Sequence, residues 1–125
     1  MKKHLLAISA SLITLWLTVQ PIEVTASTNE ITDYIIKDIN VYRASFKLEP
    51  VRTNEETCDF AKIRAEEIAT NFSHDGFHHR QKNGTLPYKH WTAITENIAM
   101  TSDYKQVENM WQHSLGHAKN MRADT

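Results

Sequence analysis

In the stretch "WQHSLGH", His113 and His117 stand four positions apart, the spacing at which two imidazoles share one face of a helix and can hold one metal ion. Gly116 lies directly before the second histidine and is expected to stop the helix there, which would break the pair. Three further histidines, His78, His79 and His90, sit among Arg80, Lys82 and Lys89 and read as part of a solvated loop. HExxH, GxSxG and Cys-x-x-Cys are all absent, so the usual metalloprotease, hydrolase and zinc-finger signatures do not apply.

Any site must be positioned by elements that the apolar spacing marks out. Ile31, Ile35, Ile39, Tyr42 and Phe46 recur in steps of three and four and predict a first helix, with Ser27 and Glu30 at capping-box spacing and an end before Pro50. "KLEPVR" then reads as an extended link, because proline disfavours helical geometry in the residue before it. A second helix is expected to start at Thr53, with Glu56 three residues on, and to bury Cys58, Ala61, Ala65, Ile68 and Phe72. Arg64, Glu66 and Glu67 fall off that stripe and read as a solvated face. Periodicity stops after Phe72, and "SHDGFHHRQKNGTLPYKHWTAIT" reads as irregular, a length of loop that is uncommon unless it serves a function. "ENIAM" suggests a short strand, and a third helix is expected from Tyr104 to Ser114, with Val107, Met110, Trp111 and Ser114 on one side.

The amino terminus has a short positive start, an apolar run from Leu5 to Val19, and the small-residue end Val24-Thr25-Ala26, which together read as a signal peptide over residues 1–26. The apolar run is shorter than the roughly 20 residues of a membrane-spanning helix, so export without a stable membrane anchor is expected. Residues 27–125 then form one small domain, slightly acidic once Lys2 and Lys3 are removed, and a nucleic-acid partner is not expected. Cys58 is the single cysteine and has no partner for a disulfide, so packing, a ligand or a metal must stabilise the domain.

Taken together and in order, "INVYRASFKLEPV", "RAEEIATNFSH", "ENIAM" and "MWQHSLGH" resemble the CAP superfamily, the extracellular SCP/PR-1-like domain, from about Ile31 to Met121. The resemblance implies an α+β fold, an α-β-α sandwich whose cleft carries two histidines and usually two glutamates. Carried over, the histidine of "FSH" falls on His74, the glutamate of "EN" on Glu96, and the histidine of "GH" on His117, which leaves His113 as an ordinary helix-surface residue. The second family glutamate has Ser114 in its place, so the implied cleft is His74, Glu96, Ser114 and His117, with a single carboxylate. Glu108 does not substitute, since six residues earlier is about 240° further round a helix. Thr95 also stands where the family often has glycine. The shorter "S-x-GH" form looks like the bacterial members.

What the resemblance implies for chemistry has two branches. His74, His117 and Glu96 would supply the ligands of Zn²⁺ or another divalent metal with an open position. Without metal, Glu96 would hold a histidine in one tautomer, or the residues would form a structural hydrogen-bond cluster. The implied function is a secreted ligand-binding or interaction module for a lipid, a cell-envelope component or a host protein. The alternative is a metal-dependent hydrolase in which catalytic Glu96 assists a metal-bound water. In the family, strands of the central sheet follow the "GH" segment, whereas this sequence stops eight residues after His117. An incomplete CAP domain is therefore expected, mainly helical, lacking its C-terminal strands, and folding poorly alone.

Overall fold

The computed structural model describes residues 26–123. The signal-peptide reading falls on residues that, apart from Ala26, lie outside the described ones. No described helix is long and apolar enough to cross a membrane. Five helices follow in order: α1 Thr28–Ser45, α2 Glu55–Thr70, α3 Asp75–Asn83, α4 Val107–Gln112 and α5 Leu115–Met121, with a 3-10 turn at Tyr104–Gln106 before α4. Among the described residues there is no strand, so the chain presents the mainly helical part of the expected sandwich.

α1 begins as its sequence requires: the Ser27 side chain accepts from the Glu30 backbone N–H at 3.2 Å. It ends at Ser45, well before Pro50, because Lys47 adopts a left-handed backbone (φ 60°) and the chain turns back with Lys47 N–H on the Ala44 carbonyl. The expected extended link follows, and Asn40 fastens it to α1. Its Nδ2 donates to the Val51 carbonyl at 3.0 Å and its Oδ1 accepts from the Val51 N–H at 2.8 Å, so one side-chain amide does the work of a neighbouring strand.

Several expectations are corrected from α2 onward. Its N-cap is Asn54 rather than Thr53, with the Asn54 Oδ1 accepting from the Thr57 N–H at 2.8 Å. The buried face is not the predicted stripe: Phe60 and Arg64 are buried, Cys58 and Ile68 are half-buried, and Ala61, Ala65 and Phe72 are exposed. Alanines carry little apolar area, so the large Phe60 ring decides which way the helix turns. It packs with Phe77, Leu86, Tyr88 and Ile94, its ring edge-on to Tyr88 at 6.1 Å.

Phe77 belongs to α3, which forms where an irregular stretch was expected. Asp75 opens it and Gly84 closes it in the left-handed conformation (φ 65°), with the Gly84 N–H turned back onto the Gln81 carbonyl. The two glycines and the histidines of this stretch obscured an acidic-start, basic-end, glycine-stop pattern. "ENIAM" runs without regular structure and pairs with no strand among the described residues.

The third predicted helix, Tyr104 to Ser114, is the 3-10 turn followed by α4, and α5 is a further helix beyond it that the sequence reading does not expect. The chain leaves α4 at His113, passes through an extended Ser114 (φ −115°, ψ 119°) and restarts in α5 with the Ala118 N–H on the Ser114 carbonyl. Gly116 is therefore in the first turn of α5 and stops nothing. The break still separates His113 from His117: His113 is exposed, and its Nδ1 meets the Asn109 carbonyl at 2.7 Å.

α1 packs on α4 and the 3-10 turn, α4 packs on α5, and α2 packs on α3. Tyr34 meets Tyr104 edge-to-face at 5.4 Å across the first of these contacts. The segment from Thr85 to Asp103 connects the two helical groups, and the candidate site lies along it.

Candidate functional site

His74 immediately precedes α3, Glu96 lies on the connecting segment, and His117 is in the first turns of α5. Three side-chain bonds hold the segment beside α4 and α5. Asn97 Nδ2 donates to the His117 carbonyl at 3.1 Å, Asn120 Nδ2 donates to Asn97 Oδ1 at 2.9 Å, and Trp111 Nε1 donates to the Ile98 carbonyl at 3.0 Å. The asparagine after Glu96 and the tryptophan of "MWQHSLGH" thus set the register that brings the three candidate residues together.

Together they form a short series of contacts. His74 Nδ1 lies 2.8 Å from Glu96 Oε2, and the rings of His74 and His117 are 6.4 Å apart, as are those of His117 and Trp111. These rings open onto a cleft of about 450 Å³. Phe72, Ile98, Ala99, Met100, Met110 and Trp111 give it apolar lining, and Ser73 and Ser114 join the two histidines as its polar lining. Phe72, Met100 and Met110 are 50%, 58% and 43% exposed, so apolar side chains rim the mouth. None of these wall residues except Ser114 was singled out from sequence for the site, since apolar residues at a cleft look like core residues in a linear chain.

Arg64 departs most from expectation. Read as part of a solvated face, it is 4% exposed and grips Glu96 with two donors, Nε to Oε1 at 2.6 Å and Nη2 to Oε2 at 3.2 Å. Nη2 also donates to the Ser73 carbonyl at 3.0 Å, directly before His74. Nη1 pairs with Glu67, whose carboxylate is shared with Arg80. Arg80 in turn donates to the Gly76 carbonyl at 2.9 Å and lies over the Phe60 ring. Hydrogen bonding to Glu96 first, then to Glu67, raises the Arg64 pKa further above its ordinary range, while burial opposes this.

The network needs a glycine at position 76. A β-carbon there would lie 2.6 Å from Glu67 Oε2 and closer still to Arg64 Nη1. A guanidinium tip is usually free to move, but this one is buried and held by four hydrogen-bond acceptors' worth of geometry on three residues. Gly76→Ala would ordinarily stabilise a helix interior by up to about 1 kcal/mol. Here it is expected to lower the thermal midpoint, and a midpoint at or above that of the unmodified chain would show that the network yields easily.

The geometry also bears on the carboxylate's fitness as a metal ligand. Both Glu96 oxygens are taken by a bidentate guanidinium and one of them also faces His74. A cation bound to that carboxylate would sit against the Arg64 charge. Among the described residues no group of three His, Cys, Asp or Glu side chains converges to hold a metal ion. As folded, Glu96 does not fit the third-ligand role, and the imidazoles of His74 and His117 are the donors that remain.

Burial first, and the nearby His74 second, hold the His117 imidazole below its ordinary value of 6.5. Because the folded state resists protonation here, the associated stability is complete above about pH 6.5 and is lost as pH falls through the lower folded value. Thermal midpoints measured with a chelator present should drop between pH 7 and pH 5, and the drop should shrink in His117→Gln. Hydrogen bonding from Arg80, opposed by burial and reinforced by Arg64, holds Glu67 below its ordinary 4.5, so its contribution is lost in a separate, more acidic window.

A family model described as CAP, the cysteine-rich secretory protein family, matches residues 36–125, and the chain belongs to that family. No curated protein and no solved structure matched. Members of the family are generally secreted extracellular domains.

Proposed function

We propose that the protein is a secreted CAP-domain binding module whose cleft takes an apolar or amphiphilic ligand, with the polar end of that ligand at His74, Ser114 and His117. The observation that supports this is the composition of the cleft: about 450 Å³, lined mainly by Phe72, Ile98, Met100, Met110 and Trp111, with His74, Ser114 and His117 among its few polar groups. A lipid or an apolar segment of a cell-envelope or host protein has the matching chemistry. The hydrolase alternative requires Glu96 as an available base, and its two oxygens are engaged by Arg64 and His74. Binding is therefore the better-supported role. A divalent ion such as Zn²⁺ would be held by the two imidazoles, and would supply a positive centre for a polar head group.

The test is a titration of the full chain with a fluorescent sterol or acyl-chain probe, read through energy transfer from tryptophan. Saturable binding is expected, weakened at least tenfold by Ala99→Trp, which adds bulk at a residue lining the cleft, and retained in Glu96→Gln. Binding indifferent to Ala99→Trp would remove the cleft from the function. Zn²⁺ is titrated separately against His117→Ala, where equal affinity in both proteins would exclude the two-imidazole site.

A further inference from the structure

We infer that Arg64 is a positioning residue for the cleft: through Glu96 it fixes the His74 ring in the Nδ1–H tautomer, so that the ring nitrogen left for the cleft is an unprotonated Nε2. A carboxylate only accepts hydrogen bonds, so the ring nitrogen 2.8 Å from Glu96 Oε2 must carry a proton. The same oxygen is gripped by Arg64 Nη2 at 3.2 Å, and the other by Nε at 2.6 Å. A planar fork on a carboxylate removes its freedom to rotate, which a single-point ammonium would not. Arg64 acts on the other side of His74 as well, since its Nη2 holds the Ser73 carbonyl at 3.0 Å and so the backbone that carries the ring. Glu67 and Arg80 then immobilise the guanidinium from behind.

The arrangement gives Glu96 a different role from that of ligand or base. It orients a histidine, and His74 offers an acceptor, not a donor, to whatever enters the cleft. The role assigned to Arg64 rests on the binding reading only for its use, because the tautomer can be measured with no ligand present. Failure of the probe titration would leave the tautomer result standing, and the reverse also holds.

The experiment is long-range ¹H–¹⁵N correlation of the histidine rings in the ¹⁵N-labelled full chain at pH 7.5, with a chelator present. Wild type is expected to show His74 with a protonated Nδ1 and an unprotonated Nε2. In Arg64→Gln the Nδ1–H form should cease to dominate, Arg64→Lys should recover it in part, and His113 should not change in either. A folded Arg64→Gln with His74 still wholly in the Nδ1–H form would overturn the assignment. If Arg64→Gln does not fold, Arg64→Lys decides alone: a His74 spectrum identical to wild type overturns the assignment, and a shift toward Nε2–H supports it.

Discussion

Replacing Arg64 with glutamine is expected to destabilise the protein by about 3–5 kcal/mol, the usual consequence of removing one partner from a buried ion pair. The side chain is 5% exposed and Glu96 is 11% exposed, so the carboxylate left behind cannot be rescued by water without opening the structure. Glu67 is better placed, being more exposed and still paired with Arg80. Against a total stability of about 5–15 kcal/mol for a typical domain, the loss would be a large share. Urea unfolding provides the measurement, with a shift of one molar or more in the midpoint expected. Lys62→Gln serves as the control, because the Lys62–Asp59 pair is solvent-exposed and should contribute under about 1 kcal/mol. Equal midpoints for the two variants would mean that the guanidinium is not structurally required.

The second large effect is expected at Arg43, which is 2% exposed and forms no ion pair with a carboxylate among the described residues. Its guanidinium donates to three carbonyls: Glu49 at 2.7 Å, Met121 at 2.9 Å and Ala123 at 2.7 Å. The last two lie at the carboxyl end of α5, where unpaired carbonyls concentrate partial negative charge. One side chain of α1 thus ties down both the link that follows α1 and the far end of the chain. Arg43→Met keeps much of the volume and removes the cost of burying a charge, which works in the variant's favour. It also leaves three acceptors without their donor, and hydrogen bonds from a charged group contribute about 1.5–3 kcal/mol each. The second effect is larger, so a net loss of about 3 kcal/mol is expected. Hydrogen exchange should also accelerate in α5 more than in α2. A midpoint within experimental error of wild type, with α5 unchanged, would show that solvent replaces the arginine at no cost.

Both residues were visible in the sequence, and neither was readable there. The first helix and its Ser27 cap were legible because a cap and an apolar stripe act within one or two turns. The order of "FSH", "EN" and "GH" likewise identified the family, and it pointed to His74, Glu96 and His117, which the fold brings close together. The sequence predicts the break between His113 and His117 but points to Gly116 as its cause, whereas the break lies at the extended Ser114. The helix at Asp75–Asn83 was missed because its only buried apolar anchor, Phe77, has no partner within its own segment.

What the sequence determined by itself was the set of reactive side chains, their order, and the local signals that start the first helices. The tertiary structure alone decided which face of α2 is buried, which apolar residues wall the cleft, and what Glu96 does. The reason is distance along the chain. Whether a charged side chain faces water or an ion partner depends on what is brought opposite it, and Glu96 reaches Arg64 from 32 positions away. No periodicity or cap within α2 encodes that meeting, which arises only when the connecting segment is fastened between the helices by Asn97, Asn120 and Trp111.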